Sequence, residues 1–282
     1  VGQRRGERPS GEILAVWVLF GLEAVTTLVT YSRLPAEELY NVSDSGLAAG
    51  AGRVLVLLNY PIAVAAIAVV GVLLERGAPR VPAWIAIGLC ALTPLTVDQD
   101  DLDARHVNVL PAAGVALAVT LTVLMRTRPA LAPWRRLDLL RIAIVAVLAV
   151  LSIPWLFAEL GFYAPDPILA DEVRTEDGET LAAVHLGFHH GMGGALLAAS
   201  AVLLSRVARS VPLRAAVALL FVYGVGNAIE DAWHEQVVKR GWTTVEIPSI
   251  LLPSVSPAWA VVIVLAALLT VLSLRPQAGS AA

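Results

Sequence analysis

A chain of 282 residues that is 57% hydrophobic, only 15% charged and close to neutral at a net charge of -3, with a mean hydropathy of +0.75, is excluded from the ordinary soluble class, where about a quarter of residues are charged. No nucleic-acid partner is expected from this balance. The single cysteine, Cys90, rules out an intrachain disulfide and a cysteine-built metal site.

The apolar residues recur in separate runs, each near the ~20 residues that cross a bilayer as a helix. They predict an all-α integral membrane protein, a polytopic bundle of about eight transmembrane helices. The spans are read over 12–32, 53–75, 81–97, 106–125, 139–163, 181–205, 213–236 and 257–275. Residues 12–275 then make one membrane domain between a short tail at 1–11 and another at 276–282. The first run is too long for a signal-peptide core and has no small-x-small cleavage site, so it is read as a helix that stays.

Positive charge in short connections marks the cytoplasmic side. The N-terminal tail, ERGAPRVP, RTRPALAPWRR, SRVARSVPLR and the C-terminal SLRPQ are arginine-rich and alternate with acidic or neutral connections. Both termini are therefore expected in the cytoplasm. SRLPAEELYNVSDSG, DQDDLDARH, APDPILADEVRTEDGET and VKRGWTTVEIPSILLPSVSP are expected outside. Lys239 is the only lysine, and this arginine bias fits a GC-rich prokaryotic genome, which places the bundle in the plasma membrane.

Ionisable side chains inside a span are costly and mark candidate sites. In chain order, span 1 carries Glu23, with Thr26, Thr27, Thr30 and Tyr31 at helical spacing. Span 2 has Asn59 and Tyr60 before Pro61. Span 3 runs out into Asp98, and span 4 opens on His106 and Asn108. Span 5 has Glu159 near its outer end, span 6 has His185, His189 and His190, and span 7 has Asn227, Glu230, Asp231 and His234; span 8 has none. With the orientation above, all of them fall in the outer half or at the outer edge. The expectation is a cavity open to the outside over a sealed apolar floor, in contact with bilayer lipid.

Two spans carry the chemistry. Asn227, Glu230, Asp231 and His234 stand at i, i+3, i+4 and i+7, a single helical face. His185 and His189 are one turn apart, and Gly191, Gly193 and Gly194 after them would admit a close neighbouring helix. If that neighbour is span 7, His185, His189, His234 and Glu230 form a ligand set for a divalent metal. Zinc is the first expectation and iron or manganese the second, with Glu159 or Glu23 as extra carboxylates. Bis-histidine haem is the weaker fit among so many acids. Glu230 and Asp231 are the candidate catalytic bases. The functional expectation is a metal-dependent membrane hydrolase or oxidoreductase acting on a lipid or other small amphipathic substrate. The alternatives are a transporter or binding protein for a metal ion, proton or small solute, or a non-catalytic membrane subunit.

Overall fold

Wherever an apolar run was expected to span, the computed structural model has a helix. It describes residues 10–33, 42–97, 103–125, 131–159, 172–174, 180–182, 191–238 and 241–275. The helices are α1 (Gly11–Arg33), α2 (Gly46–Leu74), α3 (Arg80–Thr96), α4 (His106–Leu124), α5 (Arg136–Glu159), α6 (Gly193–Ser205), α7 (Val211–Trp233) and α8 (Pro257–Leu274). By length and composition α1, α2, α4, α7 and α8 can each cross a membrane, while α3 and α6 are apolar but shorter. Their outward surfaces are apolar too: Val18, Leu22, Val25, Leu151 and Val264 are all exposed. In water this would be an aggregation surface; in a bilayer it is the solvated one.

Three boundaries differ from the sequence reading. First, α2 begins at Gly46, not near 53, because the small residues of GLAAGAG continue the helix. A Cβ on Gly50 would stand 2.5 Å from the Leu28 carbonyl oxygen, so only glycine lets α1 and α2 pack at this distance. Second, α2 is not uniform. A π turn over Leu58–Ile62 contains Pro61, which has no N–H to give to the helical ladder. Third, span 6 does not start at 181. Thr180–Ala182 pairs antiparallel with Glu172–Arg174, in the register Val173 opposite Leu181. This is the one β pairing among the described residues. The sequence between its strands contains Asp177-Gly178, a hairpin signal that outweighs weak hydropathy.

The core lies between α2, α6 and α7, wrapped by the other helices. Ala63, Ala66, Val69, Leu197, Ala201 and Leu204 are fully buried there. The arginine-rich connections meet at one end of the bundle, with the start of α1 and the end of α8. Arg206 pairs with Glu12 at 3.1 Å and lies over the Trp134 ring. Arg76 donates to the Val207 carbonyl at 2.9 Å, and Arg135 donates to the Ser273 carbonyl.

Glu75 ties α2 to the start of α7 at this same end, accepting from the Arg209 and Ser210 amides at 2.9 and 2.8 Å. Partial burial raises its carboxyl. Hydrogen bonds from the Ser210 side chain and the two amides, with Arg76 nearby, outweigh burial and hold the group below its ordinary value of 4.5. A carboxylate lowered in the folded state stabilises at neutral pH, and that contribution disappears as pH falls through its folded value. The melting temperature in detergent should therefore differ between wild type and Glu75→Gln at pH 7, with the gap closing on acidification. A gap independent of pH would remove Glu75 from the account.

Candidate functional site

The glycines of span 6 do admit a neighbour, and that neighbour is α7. A Cβ on Gly194 would lie 2.5 Å from the Gly224 carbonyl oxygen and 2.8 Å from the Ala228 nitrogen; one on Gly224 would lie 2.5 Å from the Gly194 carbonyl oxygen. The two backbones touch at this crossing. Gly194 also faces the Cβ of Asn227. The polar face of α7 thus begins where the chain emerges from the histidine segment. His185, His189 and His190 themselves lie outside the described residues, as does Asp98.

Asn227 is fully buried and Glu230 and Asp231 nearly so. His234 is half-buried in a π turn, His234–Val238, that continues α7. The Asn227 side-chain nitrogen donates to the Tyr223 carbonyl at 2.8 Å. Its Oδ1, and Nε2 of His234, are buried with no hydrogen-bond partner among the described residues. Such atoms cost about 1–3 kcal/mol each unless something meets them.

Glu230 has a different surrounding. Its Oε2 accepts from the Ile250 amide at 2.9 Å. That contact belongs to a strap the hydropathy pattern did not show. The connection from α7 to α8 folds back along α7: Trp233 Nε1 donates to the Val245 carbonyl at 2.7 Å and Tyr223 Oη to the Leu251 carbonyl at 2.6 Å. Trp233 and Tyr223 are ten residues apart, so the extended segment descends about 15 Å beside the helix. Non-helical backbone survives at such depth only when packed against protein that satisfies it, and Glu230 and Tyr223 supply that. Glu230 also lines an apolar cavity of about 560 Å³ between α5, α7 and α8, which Arg141 lines as well. The four polar residues read as a single face are thus divided between α6 (Asn227) and the strap (Glu230).

The other candidates separate. Asn59, at the π turn of α2, donates to the Asn108 carbonyl at 2.8 Å, and Asn108 donates back to Asn59 Oδ1 at 2.9 Å. Both are buried, so they form a clasp between α2 and α4. His106 is exposed beside them. Glu159 is the last residue of α5. Glu23 sits midway along α1, 4% exposed, and neither carboxyl oxygen has a hydrogen-bond partner among the described residues; Thr27 Oγ1, one turn on, is also without one.

Arg53 was overlooked in the sequence. It is 1% exposed, its guanidinium 4.8 Å from the Tyr31 ring centroid and 3.4 Å from the Tyr31 hydroxyl. The available signal was Gly46-x-x-x-Gly50, a small-residue spacing that extends the helix and carries Arg53 inside the bundle.

No three His, Cys, Asp or Glu side chains come together as metal ligands among the described residues. The described part of the expected ligand set is His234 and Glu230, and its other two members, His185 and His189, lie outside the described residues. No family model, curated protein or solved structure matches the chain.

Proposed function

We propose that this chain is a plasma-membrane protein of about eight spans with both termini in the cytoplasm, and that it is a metal-dependent enzyme acting at the outer side. His185, His189, His234 and Glu230 would hold the metal. The observation that carries the reading is the backbone contact of Gly194 with Gly224. It brings Gly194 against Asn227, one turn from the two buried acids Glu230 and Asp231 and two turns from His234, whose Nε2 has no partner among the described residues. When bound, a divalent metal supplies Lewis acidity and a water deprotonated near neutral pH. Glu230 or Asp231 would serve as the base that accepts a proton. The apolar cavity that ends at Glu230 suits the hydrocarbon part of a lipid or other amphipathic substrate.

Elemental analysis of the purified protein tests this. Near-stoichiometric zinc, iron or manganese is expected in wild type and should be lost in His185→Ala/His234→Ala. Folded wild-type protein without metal would overturn the reading.

Glu23 favours a second reading, binding or transport of protons or a small solute. A carboxyl halfway along a spanning helix, without a partner among the described residues, is costly unless it serves an exchangeable ligand. Proteoliposomes loaded with a pH dye should show proton entry that Glu23→Gln abolishes. Entry no faster than in empty vesicles would remove this reading.

A further inference from the structure

A second, larger cavity has no part in the site above. It is a groove of about 690 Å³ between α2, α3 and α7, lined by Val64, Ile67, Gly71, Trp84, Ala216 and Leu220 among others and almost wholly apolar. One end is at Glu75 and Ser210, where the arginine-rich connections meet. The other is at Tyr60, Tyr223 and Leu251. Leu74 to Tyr60 is fourteen residues of helix, so the groove is about 20 Å long. One leaflet's hydrocarbon is roughly 15 Å deep, half the ~30 Å core. Two walls, α2 and α7, are helices that can cross a membrane, so in a bilayer the groove would lie beside hydrocarbon.

Its two ends differ in what they offer a headgroup. At the tyrosine end, Tyr223 Oη donates to the Leu251 carbonyl and Thr93 Oγ1 to the Cys90 carbonyl. These hydroxyl protons are already used. At the other end, the Glu75 carboxylate accepts from the Arg209 and Ser210 backbone amides, and this one acid stands among Arg76, Arg80 and Arg209, so basic groups outnumber it. Arg209 is exposed there, and exposed Arg80 opens α3.

We propose that the groove holds a hydrocarbon chain of an anionic phospholipid from the leaflet on the arginine side, with its phosphate at Arg80 and Arg209. The chain runs from the arginines toward Tyr60 and Tyr223. Arginines suit a phosphodiester better than a zwitterionic headgroup, whose own cation they repel.

The test is native mass spectrometry of delipidated full-length protein titrated with phosphatidylglycerol or phosphatidylcholine. Wild type should prefer phosphatidylglycerol by about tenfold, the scale expected of two basic contacts. Ala216→Trp, at an exposed position in the groove, should weaken phosphatidylglycerol about tenfold while the melting temperature shows the fold retained. Arg80→Glu/Arg209→Glu should keep binding but lose the headgroup preference, and it decides the matter if Ala216→Trp does not fold. Equal binding of both lipids by wild type, undiminished binding by folded Ala216→Trp, or an unchanged preference in the double variant would each overturn the proposal.

Discussion

Gly224→Leu is expected to abolish the folded bundle, the largest effect of any single substitution here. Its Cβ would meet the Gly194 carbonyl oxygen at 2.5 Å and the Ala198 nitrogen at 2.7 Å, both backbone atoms that no rotamer change can move. Overpacking a core costs about 1–3 kcal/mol where side chains can adjust. Here two helices must separate, and the contacts of Leu197, Ala198 and Ala228 along the seam are lost with them. Even Gly224→Ala should lower the melting temperature in detergent. Gly88 is the control: a Cβ there meets nothing within 4 Å, and alanine in a helix is favoured by roughly 1 kcal/mol over glycine. Gly88→Ala should melt at or above wild type. A Gly224→Leu variant that did the same would show that α6 and α7 do not touch at this crossing.

Removing the Glu230 carboxylate should release the strap. In Glu230→Ala the Ile250 amide is left beside α7 with no acceptor, a loss of about 1–3 kcal/mol. Amide exchange over residues 245–252 should then rise by about tenfold or more. Glu230→Gln keeps an acceptor oxygen in place of Oε2 and should leave strap exchange near wild type. The pair separates structure from chemistry. If Glu230 acts on a substrate or metal, Glu230→Gln loses that function with the strap still closed. If it only anchors Ile250, Glu230→Gln is close to silent. Strap exchange unaffected by Glu230→Ala would show that the hydrogen bond holds nothing.

The site was legible only in part, and for definable reasons. The Gly191, Gly193 and Gly194 cluster announced a close helix crossing because glycine spacing reports backbone approach directly. Helical spacing likewise placed Asn227, Glu230, Asp231 and His234 at one end of one helix. Spacing carries no information on neighbours, however, and Glu230 is turned to account by Ile250, twenty residues later. The same limit applies to Asn59, whose partner Asn108 is 49 residues away. Glu23 stands just past the midpoint of a 23-residue helix and is buried, which spacing alone did not show.

The sequence by itself determined the membrane class, the approximate positions of the helices and the sorting of basic from acidic connections. These follow from transfer free energy, a sum over neighbouring residues that is fully present in the local chain. Tertiary structure alone decided which side chain answers each buried polar group. Arg53 was drawn inside by the packing of α1 on α2, and Ile250 was brought back along α7 to meet Glu230. A buried hydrogen-bonding group must find a partner wherever the fold supplies one, and only the crossing of distant helices determines where that is.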